Sequence, residues 1–229
     1  MKDIIYIVEQ EIVDKMNVIV TVDSFVGNVL SVCDVKWARI GMIVTDGSLN
    51  KYTVSAVDYD LSTITVSPNG AYTFSGTTLT LVRPYFFVGT PIATNKEWKS
   101  FNRDERKKVP FAWMLEPTSE SFNSEQDTIE RESSLIMIFL DSNNIEQWNT
   151  KETHSERLRA IYNMVEEFIN TIKRNTLFYS DNLDFDTKNF TKFGRETSSG
   201  MDSNILDANL AGIELRLTLS VNRLGVCIC

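Results

Sequence analysis

The chain has 229 residues, of which 42% are hydrophobic and 24% charged, a composition typical of globular proteins. Its formal net charge of −8 argues against a protein that reads duplex DNA through phosphate contacts, because such readers need a basic face. The longest apolar run, Leu135 to Leu140, is far shorter than the roughly 20 residues of a bilayer-spanning helix, so we expect no membrane partner.

The first predicted element is a helix over residues 3–16. Apolar residues recur there at spacings of three and four, which places them on one face of a helix. These residues are Ile5, Val8, Ile12 and Met16. A helix with one apolar face has to pack against another part of the protein. We therefore treat residues 1–16 as a helical segment in front of the first domain.

Residues 17–90 are predicted to form a small all-β domain, either a sandwich or a barrel. Six runs rich in β-branched residues alternate with turn residues in this region. Asp46-Gly47 and Asn69-Gly70 are typical of hairpin turns. Cys33 ends the second run, where we expect a buried thiol. The predicted strands are 18–22, 29–33, 42–45, 51–55, 63–66 and 78–82.

Residues 91–229 are predicted to form a second domain, an antiparallel sheet packed with one long helix, which makes the chain α+β. The helix is predicted over 155–174, because apolar residues follow one stripe there, with Thr153 or Ser155 as its cap. The stripe consists of Leu158, Ile161, Val165, Phe168 and Ile172. The predicted strands are 109–115, 133–140, 177–179, 190–193 and 210–222.

The four tryptophans divide into two pairs. Trp37 follows the Cys33 strand and Trp113 lies in an apolar strand, so both are predicted core residues, whereas Trp98 and Trp148 lie in polar segments and are expected to be exposed. Three long polar segments, 116–129, 141–154 and 195–209, are predicted loops, and loops of this length often act in binding. The candidate interface residues are Trp98, Phe101, Trp148, Arg195 and Arg223.

Residues that carry catalysis or bind metals are sparse. His154 is the only histidine and is predicted to lie at the surface or to cap the long helix. No Gly-rich phosphate-binding motif occurs. Asp181, Asp184 and Asp186 form the densest acidic group, which lacks the central glycine and terminal glutamate of a calcium loop and is predicted to be a polar loop. We predict no catalytic residue, no cofactor and no metal site; a nuclease or glycosidase is the enzymatic alternative.

Four segments together resemble a known family. Residues 86–98, 109–116, 131–139 and 209–222, with the helix between the last two, are similar to head-to-tail joining proteins of tailed bacteriophages. These are the neck, tail-completion and tail-terminator proteins, particularly those of phages of Bacteroides and of the crAss-like group. The resemblance covers residues 86–229, and residues 17–83 look like an added domain.

The resemblance implies a structural virion protein without a catalytic site. It would form a homo-oligomeric ring, six-fold or twelve-fold, at the portal–tail joint, with portal, neck or tail proteins as partners. The genome DNA would only pass through an acidic channel. The order of the ring, the adjacent proteins and the role of the β-rich region stay open. An alternative function is a β-sandwich adhesin or receptor-binding module that recognises host glycans through residues 17–90.

Overall fold

The computed structural model describes residues 3–100, 109–123, 130–143, 149–179, 183–193 and 209–221. These residues form twelve strands and three helices in sheets that are mainly antiparallel, in agreement with the predicted α+β class. No helix in these ranges is long and apolar enough to cross a bilayer.

The N-terminal helix, α1, confirms the prediction for residues 3–16. It begins as an α-helix over Ile4–Ile7, continues as a π-helical turn over Val8–Ile12 and ends in a 3₁₀ turn over Val13–Lys15. Asp3 caps it, because its Oδ1 accepts a hydrogen bond from the backbone N–H of Ile5 at 3.1 Å. The apolar face of α1 is buried in the main core of the protein.

The next six strands close into a barrel. Of the two predicted architectures, the barrel is therefore confirmed and the sandwich is wrong. Their order around the barrel is β1-β2-β5-β4-β3-β6, with every pair antiparallel. Inward positions alternate with outward ones, as period-two strands require. The strands are β1 (Ile19–Val26), β2 (Val29–Val32), β3 (Ile43–Asp46), β4 (Lys51–Asp58), β5 (Thr63–Pro68) and β6 (Thr78–Thr80).

This strand order gives the barrel two distinct ends. β1, β3 and β5 run in one direction, so the connections that follow them lie at one end, here called the distal end. The connections that follow β2, β4 and β6 lie at the other, the proximal end. Asp46-Gly47 does join the hairpin β3–β4, but Asn69-Gly70 does not form a hairpin turn, because β5 pairs with β2 and β4 instead of β6.

Cys33 does not lie in the barrel core, contrary to the prediction. β2 ends at Val32, whose side chain takes the inward position, and Cys33 follows it on the exposed side. The alternation of a strand therefore excludes the thiol from the interior.

The second sheet has the order β11-β12-β10-β8-β7, with β9 also paired to β10. All its pairs are antiparallel except β7 with β8, which is parallel. The two longest strands, β10 and β12, pair with each other at the centre of this sheet. They confirm the strands predicted over 133–140 and 210–222. The strands are β7 (Tyr85–Gly89), β8 (Phe111–Leu115), β9 (Ser119–Asn123), β10 (Glu130–Ser142), β11 (Phe185–Phe190) and β12 (Leu210–Val221).

Several elements differ from the prediction. β7 belongs to the second sheet, although the predicted boundary at residue 90 assigns it to the β-rich domain. β9 lies inside the segment 116–129 that was predicted to be a loop. In place of the strand predicted over 190–193, β11 lies earlier in the chain and ends at Phe190. The strand predicted over 177–179 is reduced to an isolated bridge between Phe178 and Val221.

The long helix, α3, spans 25 residues in three consecutive parts, Thr150–Thr153, His154–Leu158 and Arg159–Arg174, the middle one π-helical. Its cap is Asn149, so the predicted caps Thr153 and Ser155 are wrong. Asn149 Oδ1 accepts from the N–H of Glu152 at 3.0 Å, and Glu152 Oε2 accepts from the N–H of Asn149 at 2.8 Å. This reciprocal pair is a capping box.

Helices cover both faces of the second sheet. α3 packs on one face, where the rings of Phe168 and Phe139 lie 5.2 Å apart, and this core continues into α1 and the barrel. A second core on the other face includes Trp98 of helix α2 (Pro91–Ser100). Helix α2 was not predicted, although Thr90 followed by Pro91 is typical of a helix start.

Candidate functional site

The proximal end of the barrel is joined to the second domain by a buried ion pair. Arg39 follows β2, and its Nε pairs with Oδ2 of Asp141 on β10; their side chains are 6% and 2% exposed. Arg39 Nη2 also donates to the carbonyl oxygen of Val109 at 3.4 Å. A buried pair of this kind is costly to break, because either charge alone would remain in the interior without compensation.

A buried arginine and a partly buried tyrosine lie beside this ion pair. Arg157 of α3 donates from Nε to the carbonyl of Ser142 at 2.9 Å, and the hydroxyl of Tyr59 donates to the carbonyl of Ala38 at 2.8 Å. Burial raises the pKa of the Tyr59 hydroxyl above its ordinary value, so it remains a donor. Burial also lowers the pKa of Arg157, and the nearby Asp141 acts in the opposite direction.

A second set of contacts holds the link between α1 and the barrel against α3. Lys36 Nζ donates to the carbonyl of Asn17 at 2.6 Å, and Glu167 Oε1 accepts from the N–H of Asn17 at 3.0 Å. Asn163 of α3 donates to the carbonyl of Lys36 at 2.6 Å. Burial lowers the pKa of the Lys36 ammonium. Together with the ion pair, these bonds fix the barrel on the second domain.

The distal end of the barrel exposes several apolar side chains, most of them on the hairpin β1–β2. Val26 is 84% exposed and Leu49 78%, and Phe25 and Val29 are also exposed. Val26 and Val29 are direct cross-strand partners and therefore share one face of the hairpin β1–β2. Gly27 lies between them with φ at +60°, a conformation that favours glycine. A group of exposed apolar residues on one end of a domain is typical of a protein-docking surface.

Buried residues just below this surface hold it in place. The carboxylate of Asp46 accepts hydrogen bonds from the backbone N–H groups of Ser48 and Asn50, both at 2.9 Å, and from the hydroxyl of Tyr52 at 3.0 Å. Burial disfavours the charged form of Asp46, but these bonds outweigh it and the pKa lies below its ordinary value. Burial, aided by Asp46, raises the pKa of Tyr52 to about 12.

Aromatic rings connect this network to the exposed hairpin. The ring of Phe74 lies 5.8 Å from that of Tyr52 and 5.4 Å from that of Phe25, edge to face in both cases. Phe25 is thus anchored on one side and open to solvent on the other. A surface that is ordered before binding loses less conformational entropy when a partner docks.

A groove of about 640 Å³ lies on the face of the second sheet opposite α3. Its floor includes Ile136 of β10 and Arg216 of β12. Asp184, just before β11, and Asp186, on β11, also line it. Arg216 Nε pairs with Glu214 at 2.6 Å. Charged side chains of both signs and apolar side chains line the groove together, so its lining does not favour one chemical class of ligand.

The structure corrects one candidate interface residue and leaves four untested. Trp98 is 3% exposed, with its ring 5.2 Å from that of Phe111, so its expected exposure is wrong. Its polar neighbours lie on the outer side of α2, while Thr94 and Trp98, one turn apart, face inward. The others, Phe101, Trp148, Arg195 and Arg223, lie outside the described residues. Trp37 and Trp113 are buried, as predicted.

The remaining predicted residues are placed as follows. His154 is exposed, and Asp186 is exposed on β11, a strand and not a loop. Within the described ranges, no three residues among His, Cys, Asp and Glu are positioned to hold a metal ion. Asp181 lies outside those ranges.

Sequence reasoning missed the distal surface. The local signal was present, because Phe25 and Val26 stand next to a turn where polar residues are the rule. No protein-family model and no curated protein matches the chain. Function is therefore inferred from the chain's own surfaces.

Proposed function

We propose that the chain is a structural subunit of the head-to-tail joint of a tailed bacteriophage, where copies form a ring around the DNA channel and dock on a portal, neck or tail protein. The observation that carries this proposal is the apolar distal end of a barrel that buried contacts fix on the second domain. The resemblance of residues 86–229 to head-to-tail joining proteins supports the same assignment.

The chemistry of the distal end fits a protein partner. Val26 and Leu49 expose aliphatic side chains, which gain free energy when another apolar surface removes them from water. A glycan site, the alternative, uses exposed aromatic rings as stacking platforms. Trp37 and Tyr52 are buried, and among the exposed residues of the distal end named above Phe25 is the aromatic one, beside three aliphatic side chains. The distal end therefore favours docking to protein over binding to sugar.

The charge of the chain is compatible with a channel that DNA passes through. A net charge of −8 repels the phosphate backbone, so the protein would not hold the genome by nonspecific binding. The same charge gives no attraction to an anionic membrane surface. The proposed location of the protein is the virion, as a subunit of the proposed joint.

Binding of the full chain to the portal and tail proteins of its own phage tests the proposal. Val26→Asp places a charge at the most exposed apolar residue of the distal end. We expect this variant to bind the partner about tenfold more weakly or worse, because the carboxylate would have to be buried on docking. Affinity is measured by surface plasmon resonance or by titration calorimetry.

Leu61→Asp is the matched control. Leu61 is also an exposed aliphatic residue in a barrel turn, but it lies at the proximal end. We expect Leu61→Asp to bind like the natural protein. Failure of the natural protein to bind any portal or tail component would overturn the proposal. If Val26→Asp bound as tightly as the natural protein, the distal end would not be the docking surface.

A further inference from the structure

Strand β11 forms one edge of the second sheet and is exposed along most of its length. Among the described residues it pairs with β12 on one side and with no strand on the other. Its residues from Phe185 to Asn189 are exposed, and Phe190 is half-buried. An edge strand presents a row of backbone N–H and C=O groups with which another strand can pair. β11 is therefore a site at which a further strand can be added to the sheet.

Two side chains of opposite charge lie on this edge. Asp186 and Lys188 are two residues apart in a strand, so they share one face of the sheet. Arg216 of β12 lies opposite Asp186, but its Nε pairs with Glu214 at 2.6 Å. Lys188 Nζ lies 5.3 Å from the centre of the Phe190 ring. Neither Asp186 nor Lys188 forms an ion pair with a residue that the structure describes, so both charges can pair with a second molecule.

The order of these two charges makes β11 complementary to itself. When two β11 strands pair antiparallel about Thr187, Asp186 of each copy lies opposite Lys188 of the other, close enough to form an ion pair. Pairing about Asp186 or about Lys188 instead sets two like charges against each other, and in-register parallel pairing does so at both positions. Charges on an edge strand commonly prevent pairing with other chains. Here they oppose these alternatives and favour one register.

The other face of the same pair would cover exposed aromatic side chains. Phe185 is 45% exposed and Tyr162 of α3 is 40% exposed. In pairing about Thr187, Phe185 of one copy lies opposite Asn189 of the other, and the Asn189 side-chain amide donates to the hydroxyl of Tyr162 in its own copy. Phe185 is thereby brought close to the Tyr162 ring of the second copy, which removes apolar area from water. Both faces of the pair thus favour the same register.

We propose that two copies of this chain pair through β11, antiparallel and centred on Thr187, so that the occupant of the open edge is a second copy. The open edge supplies the backbone groups, the two charges set the register, and the aromatic side chains supply apolar contact. The pair has two-fold symmetry, because both copies use the same surface. A two-fold contact does not by itself generate a ring, and the inference does not rest on the proposed function.

Sedimentation velocity of the full chain over a range of concentrations tests the inference, and the natural protein should form dimers. Lys188→Asp sets two pairs of acidic side chains against each other, and Asp186→Lys sets two pairs of basic ones. We expect the dimer association constant of each variant alone to be about tenfold lower or less. An equimolar mixture of the two variants should associate again, because every opposing pair then combines a carboxylate with an ammonium group.

Lys96→Asp is the matched control. It makes the same charge change at an exposed position of α2, which packs against β7 at the other edge of the sheet. We expect it to dimerise like the natural protein, and circular dichroism verifies that each variant is folded. The pairing is wrong if Lys96→Asp is impaired as strongly as Lys188→Asp, or if Lys188→Asp dimerises normally. It is also wrong if the mixture associates no better than each variant alone.

The proposed function and this inference fail in different ways. A natural protein that stays monomeric at all concentrations yet binds a portal or tail protein overturns the β11 pair and leaves docking intact. A natural protein that dimerises through β11 but binds no virion component overturns the proposed function alone.

Discussion

At the scale of single residues, buried charges mark the positions that stabilise the two ends of the barrel. Asp46 organises the turn β3–β4 at the distal end through four hydrogen bonds, and Arg39 with Asp141 joins the proximal end to the second sheet. Each carboxylate is nearly inaccessible to water. Both are therefore sensitive to substitutions that remove one partner.

Asp46 makes stability depend on pH in the acid range. Its pKa is lowered in the folded state, so its contribution is present above the ordinary carboxyl pKa of about 4 and is lost as the pH falls through the lower, folded value. We expect Asp46→Asn to reduce the free energy of unfolding by about 2 kcal/mol at neutral pH. Urea titrations near pH 7 and pH 3 measure both effects.

The natural protein should lose more stability than Asp46→Asn between these two pH values. Asp23→Asn is the control, because Asp23 is exposed on β1. If Asp46→Asn showed the same acid sensitivity as the natural protein, the hydrogen-bonded carboxylate would not be its source.

Arg39 provides the second residue-scale prediction. Arg39→Met leaves Asp141 buried without its partner, and we expect the free energy of unfolding to fall by about 3–5 kcal/mol. The double variant Arg39→Met/Asp141→Leu should recover part of this loss, because the unpaired carboxylate is removed, although the buried Arg157 also loses the compensating charge of Asp141. Denaturant unfolding of the two variants measures the difference. A double variant that was as unstable as the single one would show that packing, not charge, accounts for the loss.

Residue types alone predicted burial only where the neighbourhood was uniform. Trp113 lies in an apolar strand and Trp37 in the connection after β2, and their predicted burial is confirmed. Trp98 was predicted to be exposed because its neighbours are polar, and Cys33 to be buried because its neighbours are apolar, and both predictions are wrong. Trp98 lies on the inward side of α2, and Cys33 lies one residue beyond the end of β2. Both depend on tertiary packing, which local sequence does not encode.

At the scale of elements, α3 was predicted because its apolar stripe has a helical period over several turns. Its start was misplaced, although Asn149 and Glu152 have the spacing of a capping box that sequence can reveal. α2 was missed because its apolar residues do not form a stripe: Thr94 and Trp98 are the buried ones. Long, strongly amphipathic segments are thus predictable, and short polar ones are not.

The cap of α3 can be tested directly. Asn149→Ala removes the side-chain acceptor for the N–H of Glu152, and we expect a loss of about 1 kcal/mol in the free energy of unfolding. Ser155→Ala is the control, since Ser155 is exposed and follows the first turn. Thermal unfolding followed by circular dichroism measures both. A larger effect at Ser155 than at Asn149 would contradict the assignment of the cap.

The pairing of the barrel strands was not predictable from turns alone. Asn69-Gly70 has the composition of a hairpin turn, but β6 pairs with β1 and β3, which bury its inward residue Leu79. Pairing between strands far apart in sequence follows from the closed core, and a dipeptide does not report on it.

At the scale of the whole molecule, charge is distributed unevenly along the chain. The exposed residues named at the distal end are apolar, and residues 17–90 contain nine of the 54 charged residues. The sequence reveals the total charge and the low charge of residues 17–90. Only the topology of the second sheet places Asp186 and Lys188 on an open edge.

The mass of the assembly formed with a portal or tail protein tests the proposed ring most directly. Native mass spectrometry of the full chain, mixed with the portal and tail proteins of its phage, should detect six or twelve copies in one complex. Assembly on the partner is sufficient even if the chain alone is smaller. A chain that remains a monomer in the presence of every portal and tail component would contradict the account.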